Sequence, residues 1–232
     1  MPQPDRILAL DLARSMALLC MAIFHFTFDL EMFGFLPWGT TTKGFWYYFP
    51  RLIAGSFLFL AGISLVLAQG RGIRWRAFLR RLAIIAGAAA LVTAGTFFFN
   101  RQGFVIFGIL HCIAACSVIG LLFLRAPVTL TLAVAAGVFA LPWFVQHSAF
   151  NGEALLWLGL AAEKRWMMDY VPLFPWLAPF LAGMAVARHV PWPSIEPARA
   201  VRLLALPGQH SLIVYLIHQP ILIGLIWTFT QL

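Results

Sequence analysis

Four ionisable residues interrupt the first long apolar run of this chain: Asp11, Arg14, His25 and Asp29. They are spaced by three, eleven and four residues. At about 100° per residue, the eleven-residue step returns to within about 20° of its starting direction, so a helix places all four on one face. An imidazole there can serve as a general base or a nucleophile, a carboxylate one turn away can orient it, and an arginine can hold an anion. Each ionisable group inside a membrane costs about 2.5–3.5 kcal/mol on insertion scales, which makes the stripe a functional candidate. Asp11 and Arg14 sit one turn apart, and His25 lies about 16 Å further along the helix. The plainer alternative is that Asp11 and Arg14 neutralise each other while His25 bonds a neighbouring helix.

Other apolar segments carry comparable groups. GILHCIA contains His111, and Ser211, Tyr215 and His218 define one face of the last segment. Three imidazoles are thus available to converge, although His111 or His218 could equally be a core histidine bonded to a carbonyl. No two histidines share metal-ligand spacing on one helix, so no metal site is expected. Arg51 opens an apolar segment beside Tyr47 and Tyr48, and Asp169 with Tyr170 precedes the proline-broken run VPLFPW. Irregular backbone at membrane depth survives only when buried in protein or lining a wet cavity, which makes this region the expected mouth of an outer cleft. The tyrosines, with Trp46, Trp166 and Trp176, also fit an interfacial aromatic belt.

The elements that must position these residues are membrane helices. Of 232 residues 62% are hydrophobic and 10% charged, too little polar surface for a soluble domain. Seven stretches approach the roughly 20 residues that a bilayer core requires. They run over Ile7–Leu30, Tyr47–Gln69, Arg80–Asn100, Gly103–Leu124, Pro127–Val145, Leu173–Arg188 and Gln209–Thr230. The expectation is an all-α, polytopic bundle forming a single integral membrane domain over residues 1–232, with the lipid bilayer as its surroundings. The three cysteines, Cys20, Cys112 and Cys116, lie inside apolar runs and read as core thiols. The charged first run lacks a cleavage site and reads as a retained helix.

The net charge of +8 comes from basic residues between the apolar stretches, a pattern of membrane topology and not of nucleic-acid binding. Arg71, Arg74, Arg76, Arg80 and Arg81 form an expected cytoplasmic loop, with Arg6, Arg125, Arg188, Arg199 and Arg202 on the same side. The opposite side receives Lys43, Arg51, Arg101, Lys164 and Arg165, with Asp29, Glu31, Glu153, Glu163 and Asp169. The amino terminus is then inside and the carboxy terminus outside. The longest loop, 146–172, falls outside and contains an apolar piece, 154–162, too short to span. Residues 191–207 read as an inner connector.

Four segments bring a family into view: RILALDLARSMALLCMAIFHFTFDL, GSFLFLAGIS, GILHCIA and DYVPLFPW. They resemble the short bacterial membrane proteins grouped with the catalytic domain of heparan-alpha-glucosaminide N-acetyltransferase, in the same order and over nearly the whole chain. The resemblance implies a multi-pass protein of the bacterial inner (cytoplasmic) membrane. It also implies acetyl-CoA as acyl donor and a carbohydrate or other small acceptor. Arg14 and His25, with ten residues between them, resemble the signature of transmembrane acyltransferases that use cytoplasmic acyl-CoA to modify sugars across the membrane. GQHSLIVYLIHQP resembles their last helix and adds weight to Tyr215 and His218. The lysosomal member has its active histidine in the lumenal stretch after the first helix. This chain has no histidine between His25 and His111, so either His25 serves instead or the short proteins act differently.

On the acyl-transfer reading, guanidinium groups of the inner arginine cluster, Arg80 and Arg81 included, suit the phosphates of acyl-CoA, whose pantetheine arm would pass Arg14 toward His25. His25 would act as base or acyl carrier, with Asp29 orienting its ring. His111 would be a second proton carrier or oxyanion donor, Tyr215 another donor, and Asp169 with Arg51 would shape the acceptor site. Topology alone also accounts for the arginine cluster. The rival is a small-solute or proton-coupled transporter or channel lined by the stripe of the first helix. Against it stand the short chain and the lack of an inverted repeat.

Overall fold

The computed structural model describes residues 7–163, 165–191 and 198–231. Arg6, Lys164 and residues 192–197 of the expected connector lie outside the described residues. Among those described, the α-helices are α1 (Leu8–Met32), α2 (Gly44–Gln69), α3 (Trp75–Phe99), α4 (Ile109–Phe123), α5 (Val128–Phe144), α6 (Leu173–Ala187), α7 (Arg199–Gln209) and α8 (Ser211–Thr230). Short 3-10 turns at Thr40–Thr42, Ser148–Phe150 and Glu153–Leu158 complete the pattern. Four helices, α1, α2, α3 and α8, are long and apolar enough to cross a membrane. The apolar helices α4, α5 and α6 have 15, 17 and 15 residues, about 22–26 Å at 1.5 Å per residue. The fold is a helical membrane bundle, and its seven apolar helices correspond to the seven expected stretches.

Three boundaries differ from expectation for physical reasons. The fourth helix begins at Ile109 and not at Gly103, because the carbonyls of Gly103 and Phe107 accept from the backbone N–H groups of Met168 and Val171 at 2.9 and 3.2 Å. The returning outer loop thus holds that segment out of the helix. The third helix starts at Trp75, so Arg76, Arg80 and Arg81 ride on its first turns and only Arg71 and Arg74 remain in the loop. The expected connector contains a helix, α7. Ala205 and Gly208 make its buried face, and a Cβ on Gly208 would overlap the carbonyl of Asp11 on α1. Leu203, Leu204 and Leu206 are exposed.

The chain packs as two compact units, Met1–Phe57 with Trp192–Leu232, and Leu58–Pro191. In the first unit, the end of α7 is set against the start of α1, and α8 continues along α1 in the same direction. Gly208 donates its N–H to Ser15 Oγ at 2.8 Å, and Gln219 Nε2 donates to Asp29 Oδ1 at 2.7 Å, pairs 193 and 190 residues apart in the chain. Near-constant separation is the mark of parallel elements. Leu18, Met21 and Ile53 form the apolar core between these contacts, with Phe24, Phe49, Val214 and Tyr215 packed on it. Beyond α1, the Glu31 carboxylate accepts from Gly39 N, Thr41 N and Thr41 Oγ1 at 2.6, 2.8 and 2.7 Å, fastening the turn before α2.

In the second unit, α4 and α6 are parallel. Asp169, just before α6, accepts from Ile109 N at the start of α4 at 2.9 Å. Arg188, just after α6, donates to the carbonyls of Phe123 and Ala126 at the end of α4. A carboxylate thus meets the positive end of the α4 dipole and a guanidinium its negative end. The crossing of α2 and α6 depends on two glycines: a Cβ on Gly62 would overlap the Phe180 carbonyl, and one on Gly183 the Phe59 carbonyl. Small residues of this kind permit backbone approach where lipid offers no hydrophobic drive.

Alanine favours a helix over glycine by about 1 kcal/mol, so any loss at Gly183→Ala must come from the crossing. That substitution is expected to lower stability by about 2 kcal/mol in a detergent unfolding titration. Gly87→Ala on α3, whose Cβ would meet nothing within 4 Å, should be neutral or slightly stabilising. Equal behaviour of the two variants would show that the close approach does not exist.

Candidate functional site

The inward face of α1 carries the four residues that the helical spacing aligns. Asp29 is 0% exposed and Asp11 5%, and Arg14 and His25 are half-buried, while Met16, Leu19, Ile23 and Phe26 face outward. At one end, Arg14 Nη1 donates to Asp11 Oδ1 at 2.9 Å. Ser15, one residue on, receives the Gly208 N–H, so this end of the stripe is fixed against α7.

Further along, α1 meets α8 in a polar seam. The rings of His25 and His218 lie 5.0 Å apart between centroids, inclined at 64°. Phe24 stands edge-on to His25 at 5.6 Å, and Tyr215 lies 5.7 Å from His218. His218 Nδ1 is 2.5 Å from the Tyr215 carbonyl oxygen. A carbonyl can only accept, so Nδ1 carries the hydrogen and Nε2 of the neutral ring keeps a lone pair. The next rung is Gln219 Nε2 donating to Asp29 Oδ1. Asp29 is therefore held by Gln219, and its bond is not to the His25 ring it was expected to orient.

Hydrogen-bond accounting singles out this seam. Among the described residues, Asp11 Oδ2, His25 Nδ1, Asp29 Oδ2, His218 Nε2 and Gln219 Oε1 are buried side-chain atoms without a hydrogen-bond partner. Buried polar atoms are paired in the great majority of cases, and each exception asks for an explanation. Three of the four exceptions around the two rings, Asp29 Oδ2, Gln219 Oε1 and the lone-pair nitrogen of His218, can only accept. Such a seam suits a group that brings protons: an amine, a hydroxyl or a protonated imidazole.

The second unit treats its polar residues differently. His111 sits in the first turn of α4, where Nδ1 accepts from Gly108 N at 3.2 Å, which leaves the ring hydrogen on Nε2. Nε2 lies 3.2 Å from Thr93 Oγ1, which in turn donates to the Val105 carbonyl at 2.8 Å. Both ring nitrogens are thus engaged in joining α3 to the start of α4. Asp169 lies beside this turn, and a Cβ on Gly108 would overlap its Oδ2. In the outer loop, Tyr170 donates its hydroxyl to the Leu156 carbonyl at 2.7 Å, and burial pushes its phenol above the ordinary value. Leu156, Ala161 and Met167 give the loop a small core of its own. Arg80 and Arg81 are exposed on α3. Arg51, in the first unit, is exposed and folds back on its own helix, its guanidinium 3.6 Å over the Tyr47 ring and donating to the Tyr47 carbonyl.

Sequence reasoning missed Gln219, although it stands one turn after Tyr215 on the polar side of α8. It also missed Thr93 and Glu31, whose partners lie in other segments and leave no spacing to read.

A family model described as heparan-alpha-glucosaminide N-acetyltransferase, catalytic, matches residues 6–220. The chain belongs to this family. The match takes in α1 whole and runs into α8 as far as Pro220, so His25, His218, Asp29 and Gln219 all lie inside the heparan-alpha-glucosaminide N-acetyltransferase catalytic region. Membership makes the protein a membrane member of an acetyltransferase family. No curated protein and no solved structure matches it.

Gln219→Leu would leave Asp29 buried with neither oxygen bonded, an expected loss of roughly 2–3 kcal/mol. Replacing both partners, Asp29→Leu with Gln219→Leu, should recover most of that loss, because no buried charge then lacks a donor. Unfolding titrations of the two single variants and the double variant measure the coupling. Strictly additive losses would mean that the bond contributes nothing.

Proposed function

We propose that the protein is an acyl-CoA-dependent acetyltransferase embedded in the bacterial inner membrane. The whole chain acts as one membrane domain, taking an acetyl group from cytoplasmic acetyl-CoA and passing it to an acceptor, a sugar, at the outer face. Family membership supports acetyl transfer, and the observation that carries the assignment to residues is the His25–His218 seam with its excess of buried acceptors.

Acetyl-CoA is the donor substrate, and two features of the chain suit it. Arg76, Arg80 and Arg81 ride on the first turns of α3, where the helix dipole is also positive, and anionic phosphates complement that concentration of charge. Arg14, whose guanidinium is already shared with Asp11, suits a polar stretch of the donor better than a second full anion.

His25 is proposed as the base. The acceptor's nitrogen or oxygen bonds to the thioester carbonyl carbon, its proton passes to His25, the carbon–sulfur bond breaks, and the proton leaves His25 for the thiolate. Tyr215 is proposed as a donor to the oxygen that gains charge. Asp29, one turn along α1 from His25, is held by Gln219. Arg51, in the same unit as His25, remains a proposed contact for the acceptor. His111 is assigned to holding the start of α4, since neither nitrogen is open for proton transfer.

The protein reconstituted in nanodiscs, given radiolabelled acetyl-CoA and a panel of amino sugars and neutral sugars, should release CoA and label at least one acceptor. His25→Ala is expected to reduce that rate by a factor of about 10² or more, the typical contribution of a general base. Equal transfer by the variant would remove His25 from the chemistry. A folded wild type that releases no CoA with any acceptor would overturn the transferase reading.

A further inference from the structure

A helix too short to cross a membrane, yet apolar over most of its exposed surface, must be covered by something, and α7 is such a helix. Its 11 residues rise about 16 Å, roughly half of a 30 Å hydrocarbon core. Ala205 and Gly208 are its buried residues, whereas Leu203, Leu204 and Leu206 are 58%, 65% and 45% exposed. At about 100° per residue, Leu203 stands roughly opposite Ala205, with Leu204 and Leu206 on its two flanks. Arg199 and Arg202 fall within about 40° of Leu206 on the same wheel and are exposed as well.

The depth of α7 in the bilayer is set by its end. Gly208 donates to Ser15 Oγ, which lies about 10 Å along α1 from its first residue, Leu8. With 25 residues, α1 is about 37 Å long, more than the hydrocarbon core needs, and the Asp11–Arg14 pair occupies its first two turns. That end therefore reaches the headgroups, and α7 is anchored at the same level. Arg199 and Arg202 have no ion pair among the described residues, and α7 contains no carboxylate. Both stand near the positive end of the helix dipole, so the local charge suits an anion. A layer of anionic headgroups meets both needs at once, with phosphate for the guanidinium forks and an acyl boundary for the leucines.

We infer that α7 is an interfacial docking helix for anionic phospholipid: Leu203, Leu204 and Leu206 enter the boundary between headgroups and acyl chains, and Arg199 with Arg202 holds a lipid phosphate. The inference stands apart from the acetyl transfer proposed above. Because α7 ends against Ser15, next to the Arg14–Asp11 pair, lipid bound there also fixes the level at which α1 and its polar face sit in the membrane.

The test uses the full chain in nanodiscs of phosphatidylcholine with increasing phosphatidylglycerol. A nitroxide is placed on Leu204→Cys in a Cys20→Ser background, where the other thiols, Cys112 and Cys116, are buried. Its relaxation by oxygen, which concentrates in lipid, and by a nickel chelate, which stays in water, reports what covers the helix. Oxygen is expected to reach the nitroxide more readily than nickel, and the nitroxide should move deeper as phosphatidylglycerol is added. Each single variant, Arg199→Gln or Arg202→Gln, should need about fivefold more phosphatidylglycerol to reach the same depth, the contribution of one basic residue near an anionic surface. Glutamine matches arginine in helix propensity, so such a shift does not come from loss of the helix.

A nitroxide reached by nickel more than by oxygen would overturn the inference, because α7 would then face water. One reached by neither would overturn it too, since protein, such as a second copy of the chain, would then cover the leucines. A depth that ignores phosphatidylglycerol, or that neither arginine variant alters, would remove anionic lipid as the occupant. If those variants instead raise KM for acetyl-CoA about tenfold at unchanged depth, the guanidinium groups serve the donor and the inference fails. None of the depth measurements needs turnover, so an inactive wild type would refute the transferase reading and leave the docking helix standing.

Discussion

Inside a bilayer a polar group has no water to fall back on, and this chain answers that constraint by pairing α1 with the end of α7 and with α8 along a single seam. The contacts come at regular depth: Gly208 on Ser15, Val214 and Tyr215 on the Leu18–Met21 core, His218 beside His25, and Gln219 on Asp29. Parallel neighbours joined through most of the chain cannot form until the intervening helices have returned to the starting side, so the seam links the two ends of the sequence. The glycine at position 208 is what lets α7 come close enough, since any side chain there would strike the backbone of α1.

The second unit meets the same constraint by another route. There the helix that needs support is α4, 15 residues long and too short to place both ends in the headgroup region unaided. Asp169 and Arg188 flank α6 and reach across to opposite ends of α4, so one parallel helix supplies both caps. The charges are arranged with the dipole, and each replaces a water contact that a buried helix end would lack. His111 and Thr93 extend the same service to the join between α3 and α4.

Much of this was legible in the sequence. The bundle follows from run length and composition, and the face shared by Asp11, Arg14, His25 and Asp29 follows from four spacings on one helix. Periodicity within one element survives folding because the element itself carries it. What could not be read were pairings between elements: Asp29 choosing Gln219, Thr93 meeting His111, Glu31 reaching back over the Thr40–Thr42 turn. The helix α7 was missed because the prolines before it and Pro207 within it signal a connector, while its burial depends on Ala205 and Gly208, small residues that leave little hydrophobic pattern. The start of α3 was misjudged for a related reason: arginines in a first turn oppose the helix dipole, and only their place at the edge of a membrane makes them acceptable.

Polar groups within membrane helices are often taken together as functional, yet the hydrogen-bond accounts divide them here into two kinds. Glu31, His111 and Arg188 make bonds that tie one segment to another and explain their presence by architecture. His25, His218 and Asp29 each retain a buried atom with no donor or acceptor opposite it, although a neighbouring residue holds the side chain itself in place or packs against it. A fully bonded imidazole would have to break a structural contact before it could move a proton, whereas a ring with one open nitrogen would not. The same inequality explains why three histidines that look alike in sequence need not share a role. A satisfied ring stabilises the fold, and an unsatisfied one held beside a second is not spent on joining helices.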